Sequence, residues 1–153
     1  MKPTVAGVKS GSKLTLSQGQ GNIFLSQSLV DQITAIVSNA DHTTLTLNTF
    51  NLVATNAKPA TQNIIPSGGI VVNNVPIAAG AAVVIPAGAP QTTFPDITFT
   101  ASGKSGSTAL ISIADAAGNA SLRDSDDNEI LAIDFTCAAL SPNVPVFPYD
   151  SEY

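Results

Sequence analysis

The sequence predicts an all-β fold: an antiparallel β-sandwich with either an immunoglobulin-like or a jelly-roll strand order. Apolar and polar residues alternate along several segments, as they do in half-buried strands. Clusters of Gly, Pro, Asn and Asp separate these segments at intervals of roughly 8 to 12 residues, a spacing typical of sandwiches and barrels. A chain of 153 residues is long enough for one domain with a hydrophobic core.

Five segments of the chain carry the strand alternation. They are KLTLSQ (13–18), TTLTLNTFNLVAT (43–55), DITFTAS (96–102), TALISIAD (108–115) and EILAIDFTC (129–137). In the second segment, we expect Leu45, Leu47 and Thr49 to face one side of the sheet, because successive side chains alternate between its faces. We predict turns at SNADH, PSGG, NNVP, PAGAP, SGKSGS and DAAGN, which are rich in residues that turns use.

The segment SQSLVDQITAIVSNA (26–40) supports two interpretations. Four apolar residues recur at helical spacing, and Ser26 or Ser28 is a candidate N-cap. These apolar residues are Leu29, Ile33, Ile36 and Val37. The β-branched content of QITAIV favours a strand instead. Because the next strand follows directly and would form a hairpin with it, we predict a strand.

The middle of the chain, residues 64–90, alternates apolar runs with Pro or Gly. Continuous apolar runs indicate strands buried on both sides, between sheets or against another subunit. Its four prolines cannot donate to a sheet ladder, so these strands should be short or at an edge. An apolar, uncharged edge is prone to aggregation unless it is covered, and a subunit partner would cover it.

The end of the chain predicts a separate structural unit. We divide the chain into a sandwich domain at residues 1–141 and an extended C-terminal arm at residues 142–153. Proline stands at every third position (142, 145 and 148), which is compatible with polyproline II. Such a stiff arm would lose little entropy on docking to a neighbour, and a frayed terminus is the alternative. The predicted interface residues are Ile70, Val71, Val72, Val83, Val84, Ile85, Val146, Phe147 and Tyr149.

The composition argues against several classes of partner. Only 11% of the residues are charged, against about 25% in a typical domain. With six basic residues and a net charge of −5, no basic stripe is available to neutralise phosphates, so neither nucleic acid nor an anionic membrane is an expected partner. No apolar run approaches the length of a membrane span, and the N-terminal residues do not form a signal peptide.

Catalytic and cofactor motifs are weak in this sequence, and we predict no enzyme activity and no cofactor. The single histidine, His42, lies in a turn-like segment where solvation is the expected state, and no G-x-S-x-G elbow accompanies it. Cys137 is predicted to be a small buried residue within an apolar strand, and one His plus one Cys cannot build a typical zinc site. The GKS of SGKSGS lacks the first glycine of a phosphate loop, because Thr98 occupies that position, so a hairpin loop is predicted.

The stretch RDSDDNEI (123–130) concentrates acidic residues. Asp124, Asp126 and Asn128 match positions 1, 3 and 5 of a calcium-binding EF-hand loop. The match then fails, because Glu129 replaces the required Gly and Phe135 replaces the required Glu. We predict a charged hairpin turn, and a looser calcium site remains as the alternative. The residues of that alternative site are Asp115, Asp124, Asp126 and Asp127.

The chain resembles bacteriophage capsid decoration, or cement, proteins. The resemblance rests on the all-β pattern from Met1 without an export signal, the scarcity of Lys and Arg, the run VPIAAGAAVVIPAGA and the extended terminal arm. It implies a homotrimer on the capsid surface of a virion that contacts the major capsid protein and stabilises the capsid by bridging its subunits. It assigns no functional role to any individual residue.

A second function class is an extracellular β-sandwich binding module, such as an adhesin or a carbohydrate-binding domain stabilised by calcium. Sugar-binding platforms use exposed aromatic rings. The chain has no Trp and only two Tyr, both near its C-terminus. The composition therefore favours the structural virion protein over the binding module.

Overall fold

The computed structural model describes residues 9–17, 19–85, 92–104, 106–138 and 145–151. Within these residues the fold is all-β, with antiparallel strands and one short helix, which confirms the predicted fold class. The first strands are β1 (Lys13–Leu16), β2 (Gln20–Gly21) and β3 (Ile23–Leu25), followed by helix α1 (Gln27–Ile36). The remaining strands are β4 (His42–Thr55), β5 (Ala57–Lys58), β6 (Thr61–Asn63), β7 (Ile70–Pro76), β8 (Val83–Ile85), β9 (Thr92–Thr93), β10 (Ile97–Ala101), β11 (Ser107–Arg123), β12 (Glu129–Ala138) and β13 (Pro145–Ser151).

Two long antiparallel strands, β4 and β11, form the centre of the main sheet, and they pair from His42 opposite Arg123 to Thr55 opposite Leu110. The outer edge of β11 carries two partners end to end: β12 along residues 115–123 and β13 along residues 107–112. The outer edge of β4 likewise carries β7 and then β6. Each half of the main sheet therefore has its own flanking strands.

The predicted turn at DAAGN is wrong, because these residues lie inside β11. The small side chains of this segment serve close packing rather than a turn. A Cβ on Gly118 would collide with the backbone oxygen of Thr46 and lie 2.7 Å from the ring of Phe135. Glycine in a strand interior commonly marks such a close approach. The predicted turn at NNVP is also wrong, since it lies within β7, where Asn74 has a positive φ of 54°.

Bulges in β4 and β11 change which residues of each strand face the core, while the same face of the sheet stays buried. Leu47 pairs with Gly118 and Thr49 with Ala117, which leaves Asn48 as an extra residue in β4. Before this bulge Leu45 and Leu47 are buried, and after it Leu52 and Ala54 are buried instead. An extra residue shifts the alternation by one position. Thr49 therefore does not continue the buried row that Leu45 and Leu47 begin.

A second layer covers the main sheet in two parts, each with its own core. Strands β1, β10 and β5 form a three-stranded sheet over one half. There Leu14 and the fully buried Phe99 pack with Ile111 of the main sheet. Over the other half, α1 and the two-stranded β3–β8 ribbon pack Val30 and Ile85 against the main sheet. The molecule is thus a two-layer structure with two adjoining hydrophobic cores.

The prediction of a strand within residues 26–40 is wrong, because the segment forms α1. Ser26 is the N-cap, and its Oγ accepts the backbone N–H of Leu29 at 3.3 Å. Thr34 is accommodated in the helix with its hydroxyl donating to the carbonyl of Val30 at 3.0 Å. Val30 and Val37 are buried beneath the helix. The cap and the buried apolar stripe therefore outweigh the strand propensity of QITAIV.

The predicted C-terminal arm is extended, but it pairs within its own chain. Its described residues form β13, which runs antiparallel to β11 with Ser151 opposite Ser107 and Pro145 opposite Ser112. Proline is tolerated in such a strand at a sheet edge. Residues 142–144 and 152–153, which belong to the predicted arm, lie outside the described residues. One edge of the β13 backbone is therefore used in an intrachain ladder with β11.

We expect Gly118→Ala to lower the free energy of unfolding by about 1 to 3 kcal/mol, the usual cost of overpacking. The new methyl group would displace either the β4 backbone or the ring of Phe135. Gly19→Ala is the matched control, because its Cβ would meet only Phe94 at an ordinary 3.7 Å. Chemical denaturation of both variants measures the difference, and equal stability would show that the close approach at Gly118 is not constraining.

Candidate functional site

The acidic stretch forms the tip of the β11–β12 hairpin, as predicted. The carboxylate of Asp124 accepts the backbone N–H groups of Asp126 at 3.0 Å and of Asn128 at 2.9 Å. These hydrogen bonds, with that of Asn128 the largest, hold the pKa of Asp124 below its usual value. Asp127 adopts a positive φ of 64°, which Asp tolerates better than most residues. The acidic side chains thus close a turn, here called the hairpin tip (residues 124–128).

His42 packs against the hairpin tip, so the prediction of a solvated histidine is wrong. It is the first residue of β4, and its side chain is only 14% exposed. Its Nδ1 lies 3.1 Å from Oδ2 of Asp41, and its Nε2 lies 3.1 Å from Oδ1 of Asp127. These two hydrogen bonds, Asp41 first, raise the pKa of His42 above 6.5. Both ring nitrogens are therefore occupied by carboxylates.

Arg123 completes the contacts at this end of the sheet. Its Nη1 donates to the backbone oxygen of Asp127 at 2.8 Å and lies 3.4 Å from the Oδ1 of the same residue. The nearby hydroxyl of Ser121 donates to Glu129. A catalytic triad needs a hydroxyl within hydrogen-bond reach of a free histidine nitrogen. Carboxylates occupy both nitrogens of His42. His42, Asp41, Arg123 and Asp127 instead connect β4 to the hairpin tip, and we call these four residues the clasp at His42.

The four aspartates of the alternative calcium site are not brought together. Asp115 lies eight residues from Arg123 along β11, a separation of about 26 Å at ~3.3 Å per residue. Its Oδ1 accepts the side-chain amide of Asn51 at 2.6 Å. Among the described residues, no group of three or more His, Cys, Asp or Glu side chains is arranged to hold a metal ion.

Two other predictions from the sequence are wrong. Gly103 and Lys104 of the GKS segment lie between β10 and β11, but this connection is not the predicted hairpin loop, because β10 pairs with β1 and β5 whereas β11 belongs to the main sheet. Ser105 lies outside the described residues. Cys137 was predicted to be buried, and this is wrong because the thiol is exposed. The reason is its position in β12, which pairs only with β11 in the part of the chain that the structure describes.

The predicted interface residues of the middle region fall into three groups. Val83 and Ile85 belong to the core, with Ile85 only 1% exposed, so they are not part of an accessible surface. Ile70 and Val72 are half-buried on β7, and Val71 and Val84 are exposed. The remaining predicted interface residues, in the arm, lie in β13, where Phe147 is opposite Ile111 and Tyr149 opposite Ala109. Val146 lies in the same strand.

An exposed apolar pair lies on the β3–β8 ribbon. Phe24 is directly opposite Val84, and their side chains are 66% and 39% exposed. Their neighbours in the two strands pack into the core. We call Phe24 and Val84 the ribbon patch. Sequence analysis singled out Val84 but missed Phe24, because the three-residue strand IFL is too short to show an alternation.

Helix α1, which follows β3, adds a second exposed apolar pair, and the surrounding sequence is almost free of charge. Leu29 and Ile36, seven residues apart, are 43% and 81% exposed, and we call them the helix patch. Residues 20–38 and 70–85 contain a single charged side chain, Asp31. Its carboxylate accepts the backbone N–H of Gly80 at 2.6 Å. The two patches therefore belong to a neutral part of the molecule.

An apolar cleft of about 410 Å³ opens where the two cores meet. Its lining includes side chains of the main sheet together with residues of β2, β3, β8 and the segment before β10. Four phenylalanines line it: Phe24 of the ribbon patch, Phe50, Phe94 and Phe135. The Phe50 and Phe94 rings pack with centroids 5.4 Å apart at an interplanar angle of 35°. Cys137 also lies in the lining.

Comparison with known proteins returned no family model, no curated protein and no solved structure that matches this chain. The part of the chain that the structure describes contains no helix with the length and apolar character needed to cross a membrane.

The clasp at His42 should make stability depend on pH near neutrality. Because the folded pKa lies above 6.5, the protonated ring is favoured by the native state. Its contribution is complete below the unfolded pKa and is lost as the pH rises through the folded pKa. We expect the melting temperature to fall as the pH rises above about 6.5, the ordinary pKa of histidine, which lies above the range in which carboxylates titrate.

His42→Gln is the control for this pH dependence, because His42 is the only histidine of the chain. The variant should flatten the profile of melting temperature against pH across the same range. A profile that keeps the wild-type slope in His42→Gln would assign the pH dependence to another group.

Calcium should leave the melting temperature unchanged relative to a chelator, because hydrogen bonds within the turn occupy Asp124 and Asp115 is remote. Asp124→Ala should lower the melting temperature equally with and without calcium, since it removes the hydrogen-bond acceptor of the turn. Asp126→Ala is the control, because only its backbone takes part in these hydrogen bonds. A melting temperature that rises with calcium would demonstrate cation binding to the native state.

Proposed function

We propose that this protein is a structural virion component without enzyme activity, a capsid decoration (cement) protein. It self-associates, as a homotrimer, on the capsid surface and stabilises the capsid by bridging neighbouring subunits of the major capsid protein. The observation that carries this proposal is the ribbon patch, an exposed aromatic and aliphatic pair in a part of the chain with one charged side chain.

The chemistry of the ribbon patch suits a protein partner. The buried centres of protein interfaces are depleted in charge and enriched in aromatic residues. Phe24, at 66% exposure, is the most exposed aromatic residue among those whose burial is described. Covering one Phe or Val side chain contributes up to about 1.5 to 3 kcal/mol. The carboxylate of Asp31 accepts the backbone N–H of Gly80, which meets part of its need for hydrogen bonds.

Symmetry would multiply this modest energy. A trimer presents three copies of the ribbon patch and the helix patch at fixed spacing, so one docked copy raises the effective concentration of the others. Contacts that are weak singly then hold an assembly firmly. This is how a small protein with few charged groups could stabilise a larger particle.

The strand edges also support an assembled state. Within the described residues, β8 pairs only with β3, and β12 pairs only with β11. An apolar strand with an open edge promotes uncontrolled association unless another surface covers it. A second copy of this chain or a capsid subunit would provide that cover.

The alternative, a calcium-stabilised extracellular binding module, has less support. The structure separates Asp115 from the hairpin tip, and Phe24 is the single exposed aromatic side chain among those whose burial is described, whereas a sugar platform uses exposed aromatic rings. No observation in the described residues favours this second function over the first.

Val84→Glu should disrupt assembly, because it places a charge in the ribbon patch. Val53→Glu is the matched control: Val53 is also a strand valine, with 38% exposure against 39% for Val84, but it lies on β4 outside the patch. Sedimentation analysis of native mass should show an oligomer for the wild type and Val53→Glu, and a monomer for Val84→Glu. The wild type and Val53→Glu should also co-sediment with capsids that lack decoration protein, and Val84→Glu should not.

Two results would contradict the proposal. A wild-type protein that is monomeric at all concentrations and binds no particle would remove both self-association and decoration. Equal behaviour of Val84→Glu and Val53→Glu would show that the ribbon patch is not the contact surface. Melting temperatures of both variants establish that each is folded.

A further inference from the structure

We propose that the apolar cleft is a binding site for an uncharged, ring-containing small molecule. The cleft shares Phe24 with the ribbon patch, but the proposal does not rest on the function proposed above. It rests on the volume of the cleft, its aromatic lining, its lack of charge and the way in which the fold keeps it open.

The cleft has the dimensions of a ligand site. Its volume of about 410 Å³ lies within the range of roughly 300 to 1,000 Å³ typical of small-molecule pockets. An apolar cavity of about 150 Å³ already accommodates benzene. A molecule with two or three rings therefore fits the available space.

The lining favours rings over flexible chains. The floor is formed by aliphatic residues of the main sheet, including Leu47 and Ile113, and the rings of Phe50, Phe94 and Phe135 contribute to the walls. Aromatic rings gain from offset or edge-to-face packing beyond the burial of area. A flat ring system can make such contacts with several of these phenylalanines.

The electrostatics select an uncharged ligand. None of the side chains in the lining is charged, and its amide side chains are Gln20 and Asn22. An ionised group placed there would lose hydration without gaining a partner of opposite charge. The net charge of −5 over the whole chain further disfavours an anion. The two amides can serve one hydroxyl or carbonyl group of the ligand.

Backbone features hold the cleft open. The bulges of β4 and β11 lie beneath the cleft, and residues on both sides of each bulge line it. Gly118 allows the Phe135 ring to lie close to the sheet, and a Cβ at Gly21 would approach the ring of Phe94 to 3.1 Å. Because Gly118 and Gly21 have no side chains, neither residue fills the space above Ala116 and Ile113.

The direct test is a fluorescence titration with N-phenyl-1-naphthylamine, an uncharged ring compound whose emission increases in apolar surroundings. The chain has no tryptophan, so the protein contributes little emission of its own. We expect saturable binding of one probe per chain. The comparison compound is 8-anilinonaphthalene-1-sulfonate, which has the same rings plus a sulfonate and should bind at least about tenfold more weakly.

Two variants assign the probe to the cleft. Ala116→Phe fills the floor from β11 and should abolish the saturable signal. Thr136→Phe adds the same ring to an exposed position of β12 that is not in the lining, and it should leave binding unchanged. Melting temperatures of both variants confirm folding.

A third measurement needs no cleft-filling variant. Cys137 is the only cysteine, is exposed and lies in the lining. Saturating N-phenyl-1-naphthylamine should slow its reaction with a thiol reagent several-fold, and Cys137→Ser provides the unreactive control. This measurement decides the matter if Ala116→Phe does not fold.

Several outcomes would overturn the proposal. These are the absence of saturable binding, equal affinity for the sulfonate, unchanged binding by a folded Ala116→Phe, or a Cys137 reaction rate that the probe does not alter. Protection of Cys137 that increases with protein concentration without probe would identify a second copy of the chain as the occupant and would also overturn it.

Discussion

The antiparallel ladder between β4 and β11 is the constraint on which the rest of the structure depends. These strands have 14 and 17 residues, well above the usual 5 to 6. Their length lets each carry two partners in sequence along its outer edge. It also places two separate covering layers on one sheet, the three-stranded sheet over one half and α1 with the β3–β8 ribbon over the other.

The bulges let this long ladder keep one face of the sheet toward the core along its whole length. A regular strand would bury one parity of residues along its full length. Because Asn48 is inserted in β4, Leu47 and Leu52 are both buried in the same core although their numbers differ in parity. The apolar cleft lies over this stretch of the sheet, and residues on both sides of each bulge line it: Leu47 and Phe50 of β4, and Ile113 and Ala116 of β11.

The sequence predicted the parts of the fold that depend on local interactions, and it did not predict those that depend on contacts between residues far apart in the chain. The alternation in KLTL, ITFTA and EILAIDF and the turn chemistry of Asp124 to Asn128 are local, and each was recognisable in the sequence. The strand through DAAGN depends on the packing of Phe135 over Gly118, a partner that the sequence does not reveal. Helix α1 had a recognisable cap at Ser26, but the burial of Val30 and Val37 depends on packing against β8, which is distant in the sequence. The clasp at His42 likewise joins residues 85 positions apart.

Charge is distributed unevenly over the described residues. Five acidic residues lie around the hairpin tip, where His42 and Arg123 are the basic side chains in contact with them. The acidic residues are Asp41, Asp124, Asp126, Asp127 and Glu129. The ribbon patch and the helix patch lie instead in stretches with one charged side chain. Like charges repel over a screening distance of about 8 Å at physiological salt, so two copies meeting tip to tip are disfavoured. If the protein self-associates as proposed, contact through the ribbon patch and the helix patch avoids this repulsion, and the acidic tip would then help to select the contact surface.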